Sequence, residues 1–211
     1  MRIIKLFKNH VLALVCAVAL IVISCNADLA LPTYMSEIVD VGIQQGGIES
    51  PAPDTIRAES LSDLELFMPE DDMATVEAAY SEPNAEGIRT YVGSEADRAE
   101  DGAVSDAISL PETVVLSLEQ GVDASTVTDG MTGTLDMQTV RGACEAGIIP
   151  KEKLVEAASA MSDSMGSMGG SIVKQRAVTY VQQEYEAQGI SLTDVQNSYL
   201  ASMSLKMFGL C

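Results

Sequence analysis

The stretch Gly166-Ser167-Met168-Gly169-Gly170-Ser171 is the nearest approach in this sequence to a loop that cradles phosphates. Such a loop needs a Gly-Lys-Ser/Thr ending and a preceding strand. Neither is present, so the stretch reads as a flexible joint between two helices. Acids are abundant, but no spacing singles out a pair for acid–base work. Glu70-Asp71-Asp72 lacks the alternating-oxygen spacing of a calcium loop and suits a solvated helix start, where the macrodipole favours anions. Leu154, Val155, Ala158, Met161, Met165 and Met168 form an apolar row. Thioethers in a row can hold soft metals, yet this spacing is also that of a packed helix face. The single histidine, His10, sits beside an apolar run, which argues against histidine catalysis or a histidine metal site. Cys16, Cys25, Cys144 and Cys211 have no CxxC spacing, so neither a zinc site nor a disulfide framework is expected.

Charge orders the elements that must carry these residues. The 211 residues hold 12 cations and 31 acids, a net charge of −19, with 47% apolar and only 4% aromatic residues. A charge this negative argues against a nucleic-acid partner, which needs a basic face for the phosphates. Residues 1–27 hold Arg2, Lys5 and Lys8 and no acid. Residues 28–211 hold nine cations and all 31 acids, a net of −22. The chain is therefore a short basic head (1–10), an apolar run and a long acidic body.

The run Val11–Ile23 has thirteen unbroken apolar residues. It is too short alone for about 30 Å of hydrocarbon, which needs about 20 residues. Its basic flank predicts a cytoplasmic amino end and an acidic body outside the membrane. Two readings compete. Val22-Ile23-Ser24-Cys25 resembles a bacterial lipobox, which predicts a cleaved signal peptide and a secreted lipoprotein anchored at Cys25. Alternatively the helix continues past Cys25. Leu29, Leu31, Tyr34, Met35, Ile38, Val39 and Val41 recur mostly at helical spacing, Pro32 is expected to kink the helix, and Gly42 to end it. An ordered helix following directly on an apolar one favours a retained transmembrane helix over 11–47.

The segment Ala27–Ile48 (ADLALPTYMSEIVDVGIQQGGI) resembles the end of the first transmembrane helix of bacterial ABC exporters of the multidrug type. Residues 178–190 (VTYVQQEYEAQGI) and 196–200 (QNSYL) resemble the return to the membrane before the second helix. Some members of that family insert an extracytoplasmic domain between these helices. The resemblance implies an acidic insert over 48–190 and the start of a second transmembrane helix over 191–211. It implies a fragment of a longer protein, since the helix at Leu210-Cys211 ends with no cap and no polar tail. The intact protein would use ATP and Mg in a separate domain to export an unknown substrate. It would pair with a second half-transporter, as a homodimer or a heterodimer. This chain has no Walker motifs, so no cofactor and no ATP hydrolysis are expected of it. Asp28, Pro32, Glu37, Asp40 and Gly42 fall on the matched segment, where a substrate path or outer gate would lie. Capping and interfacial solvation explain its acids more simply than a gate does.

The fold is expected to be mainly α, with one amino-terminal transmembrane helix extending into a helical extracytoplasmic domain that returns to the membrane in a long helix. Residues 49–58 read as a Pro-rich turn and 60–80 as one or two short helices, with Ser62 and Glu65 placed as a capping box. Residues 81–110 are loop-rich, with a short strand near 88–92. Helices follow from Leu110 to Gly121, from Pro150, from Ile172 to Gln188 and from Ser191, with Gly189 and Asp194 as boundary residues.

Overall fold

A computed structural model of the chain describes residues 11–123, 134–164 and 169–210. The described fold is mainly helical. Helix α1 spans Val11–Glu37, and a π-helical segment continues it over Ile38–Gln44. Strand β1 (Thr55–Arg57), helices α2 (Ala58–Glu65) and α3 (Glu70–Ala79), strand β2 (Ile88–Thr90) and the single turn α4 (Glu95–Arg98) follow. Then come α5 (Ala103–Glu119), the short pair β3 (Val122–Asp123) and β4 (Thr134–Leu135), α6 (Met137–Glu145), α7 (Lys151–Ser164), α8 (Gly169–Ala187) and α9 (Leu192–Leu210).

The chain divides into two compact units. The first combines residues 1–47 with 196–211, and the second is 48–195. The second unit is built round α5, on which thirteen residues are buried. Its apolar positions, among them Val104, Ile108, Val115, Leu116 and Leu118, meet α2, α3, α7 and α8. Ser109, Thr113 and Ser117 recur every fourth residue, and each places its hydroxyl on the carbonyl one turn earlier. Small hydroxyl residues whose polar atoms are satisfied inside the helix permit close approach. Accordingly Thr113 Oγ1 also lies 3.0 Å from the Val173 carbonyl of α8.

Strands β1 and β2 pair antiparallel with Ile56 opposite Arg89. A Tyr80–Tyr91 bridge continues the pairing, the two rings edge-to-face at 5.4 Å. The two ends of the unit meet. Ile48, where the chain enters, packs with Val178, Val181 and Tyr185, and with Ile190, Leu192 and Val195, where it leaves.

Several local expectations change. Helix α2 starts at Ala58, so Ser62 and Glu65 lie within it and form no capping box. As expected, the 60–80 region is helical, as two helices divided at Pro69, and Glu70-Asp71-Asp72 form the first turn of the second. Helix α5 begins at Ala103, so the end of the 81–110 stretch is helical and Pro111 sits inside the helix. The burial of α5 on all sides outweighs the carbonyl bond that Pro111 removes. Gly169, Gly170 and Ser171 begin α8, and the rest of the stretch read as a joint, between Ser164 of α7 and α8, lies outside the described residues. Gly121 (φ 76°) and Gly189 (φ 77°) stand just past helix ends in the left-handed conformation, as expected. The basic head, His10, residues 165–168 with Met165 and Met168, and Cys211 lie outside the described residues.

Candidate functional site: the apolar helix and its crossing

Helix α1 is 27 residues long, about 40 Å at 1.5 Å per residue. Its most apolar 18-residue stretch, within Val15–Gln44, has a mean hydropathy of 2.0, and none of that stretch is buried. Val15, Val18, Leu20, Ile21, Val22 and Leu29 all face outward, Leu20 with 66% of its surface exposed. At 100° per residue these positions lie on most sides of the axis. A helix that is apolar nearly all round belongs in a core or in hydrocarbon. Among the described residues this is the one helix long and apolar enough to cross a membrane, judged by length and composition.

Helix α9 crosses the π-helical end of α1. Gln196 Nε2 donates to the Gly42 carbonyl at 2.7 Å. The Tyr199 hydroxyl lies 3.5 Å from the Glu37 carbonyl. The pairing of 42 with 196 and 37 with 199 makes the two stretches antiparallel. Gly42 is buried, and a Cβ placed there would stand 2.7 Å from Leu200 Cδ2 and 3.4 Å from the Tyr199 ring. Gly42 thus does not end the helix. It lets α9 approach, and the ending falls to Gly46 (φ 65°) and Gly47 (φ 85°). The Gly47 N–H closes the segment on the Val41 carbonyl at 2.8 Å.

The other residues singled out from sequence do not converge. Asp28 is exposed on α1. Pro32 is also exposed, and α1 continues through it. Glu37 meets α9 through its backbone carbonyl. Asp40 accepts from Ser36 (2.9 Å) and Gln44 (3.1 Å) on its own helical face. No group of three metal-ligating side chains occurs among the described residues. The four-residue spacing of Asp40 from its partners makes it a local surface network rather than a binding cluster.

Two carboxylates that sequence reasoning did not single out are buried in the second unit. Glu184 on α8 accepts from the Arg57 backbone N–H (2.8 Å), the Arg57 guanidinium (2.8 Å), Ser60 (2.8 Å) and Gln188 (2.9 Å). Burial pushes its carboxyl up, but these hydrogen bonds outweigh burial and hold it below the usual carboxylate range. Glu112 on α5 is wholly buried, and neither carboxylate oxygen has a partner. Burial, with the Glu184 charge adding to it, pushes the Glu112 carboxyl well above its ordinary value. Glu112 lies one turn from Ile108 and from Leu116, an apolar setting that hid it in the sequence. Glu184 stands between Val181 and Tyr185 with no cation within one helical turn to mark its partner, which lies 127 residues away.

No protein-family model, curated protein or solved structure matches the chain.

Proposed function

We propose that this chain is the amino-terminal part of the transmembrane domain of an ATP-driven exporter of the ABC multidrug type. In this reading α1 crosses the bilayer with its basic head in the cytoplasm. Residues 48–195 form an extracytoplasmic domain, a lid or docking surface over the exit path, inserted between α1 and a second membrane helix. One observation carries the reading: two stretches far apart in sequence form a single helical unit, and the domain between them brings its own ends together at Ile48 and Val195. A domain so built can be inserted in a helical hairpin without parting the two helices. The outward apolar surface of α1, and of Leu205 and Phe208 on α9, agrees with lipid contact. The similarity of residues 27–48 and 178–200 to exporter segments supplies the transport function. ATP and Mg would act in a separate domain, and a second half-transporter would complete the pathway. Asp28, Pro32, Glu37, Asp40 and Gly42 would then lie along the outer half of the first helix. Alternating access of such bundles proceeds by rocking of helices.

The test is capture of the native protein from its own membranes with an antibody raised against the acidic domain. The expected product is a polypeptide well above the 22.3 kDa of this chain that hydrolyses ATP and is inhibited by vanadate. A lipid-modified protein without ATPase activity, its amino end at Cys25, contradicts the exporter and establishes the lipoprotein reading instead.

A further inference from the structure

A cavity of about 410 Å³ opens in the second unit between α5, α6 and α7. Its wall is apolar: Phe67, Val114, Leu118, Leu154, Ala158 and Met161 line it, with Ala157 and Ala160 leaving room on the α7 side. Protein interiors contain few voids larger than one water, and an apolar cavity does not hold water well. The volume lies within the roughly 300–1,000 Å³ of ligand pockets.

The wall has two polar residues, Ser164 and Ser117, and Ser117 donates to the Thr113 carbonyl at 2.7 Å and accepts from Arg176 Nη2 at 3.0 Å. Arg176 is unlike most cations of its unit. Arg57, Arg98, Arg141, Lys153 and Lys174 each pair with a carboxylate within 4 Å. Arg176 pairs with none among the described residues, and its Nε is buried without a hydrogen-bond partner. Residues 48–195 hold 28 acids and eight cations. A guanidinium without a carboxylate partner among the described residues, set behind the cavity wall and reached through Ser117, complements an anion carried on an apolar tail. Guanidinium groups suit planar carboxylates through two parallel hydrogen bonds.

We infer that this cavity binds a single-chain anionic amphiphile of the fatty-acid class, its tail among α5, α6 and α7 and its carboxylate at Arg176. The inference does not depend on the exporter reading. The test uses the full chain in lipid nanodiscs and two photoreactive probes, a diazirine-bearing decanoate and the matching decanol, with peptide mapping of the cross-links. Decanoate should label α5 and α7 peptides, and unlabelled decanoate should compete. Arg176→Met should lower decanoate labelling about tenfold, the value of one charge-assisted hydrogen bond. It should leave decanol labelling unchanged, which shows that the cavity persists. Arg176→Lys should restore part of the decanoate signal, and Ala158→Trp, which fills the cavity, should remove both signals. Labelling confined to α1 and α9, decanol labelling equal to that of decanoate in the unaltered chain, or full decanoate labelling of Arg176→Met would each overturn the inference.

Discussion

The two units place polarity in opposite ways. The first carries its apolar side chains outside: Leu20, Ile21, Leu205 and Phe208 are all more than 60% exposed. The second carries polar groups inside: Glu112, Glu184, Ser105 and Thr113 are buried in the centre of an otherwise acidic, solvated body. An outward apolar surface is stable when the surrounding medium is hydrocarbon. Buried carboxylates are stable only where hydrogen bonds satisfy them or a proton neutralises them. Glu184 takes the first route and Glu112 the second.

The largest expected effect separates the units. Leu20→Asp with Ile21→Asp places two charges in α1, each costing about 3 kcal/mol in a membrane helix. Sedimentation of the membrane fraction should show loss of the chain from it, while hydrogen exchange in α5 stays unchanged. Leu116→Asp, in the second unit, should do the reverse, unfolding α5 and leaving the membrane fraction intact. If both variants change both readouts, the units do not differ as described.

Next in size is Glu184→Ala. It removes a buried acceptor of several hydrogen bonds and should cost about 3 kcal/mol in the thermal or urea unfolding of the second unit. Arg57→Met leaves the Glu184 carboxylate, only 1% exposed, buried without its cation, and should cost about as much, about 3 kcal/mol.

Glu112→Met should act with the opposite sign. It replaces an unpartnered buried acid with an apolar side chain, and a gain of about 1–3 kcal/mol at pH 8 is expected. The pH dependence divides the two acids. The folded-state value of Glu112 is raised, so its contribution is fully present below the unfolded value of about 4.3 and fades as pH rises through the folded value. The folded-state value of Glu184 is lowered, so its contribution is present above about 4.3 and is lost as pH falls through the folded value. Unfolding followed from pH 3 to 9 should therefore show Glu112→Gln flattening the alkaline limb and Glu184→Gln the acid limb.

The smallest effect belongs to the first unit. Gly42→Ala meets Leu200 Cδ2, the end of a flexible side chain, and should cost under about 1 kcal/mol, while Gly42→Val should cost about 1–3 kcal/mol. Leu200→Ala should relieve part of either penalty in a double-mutant cycle.

Helix positions with strong periodicity were legible in the sequence. Leu154 and Ala158 of α7, Val173, Ala177 and Val181 of α8, and the glycines at 121 and 189 fall where period and chirality require. The start of α5 was hidden because Pro111 looks like a first-turn residue, and because Ser105 and Ser109 look like loop composition, although both are buried. The role of Gly42 was hidden for a similar reason. A glycine near the end of an apolar stretch reads as a terminator, and only the approach of Leu200, far along the chain, makes it a crossing point. The Glu184–Arg57 pair and the lone Glu112 depend on contacts across the fold, which local spacing does not encode. Of the candidate residues, Gly42 gained a partner on another helix through its backbone and Cβ space, and Glu37 through its carbonyl. Asp28 and Asp40 remained surface acids.

In the proposed topology α1 is retained in the membrane with the acidic unit beyond it. This topology is tested most directly on a chain with an amino-terminal epitope tag, its four cysteines replaced by alanine, and a single new cysteine at an exposed position of α3, Glu77→Cys. Intact cells are treated with a membrane-impermeant maleimide, and the tag is used to recover the chain. The recovered, tag-bearing chain should carry the label, and a cysteine placed in the head by Lys5→Cys should react only after the membrane is opened. Label found solely on a chain that has lost its tag, or a Glu77→Cys thiol that reacts only after lysis, would contradict it.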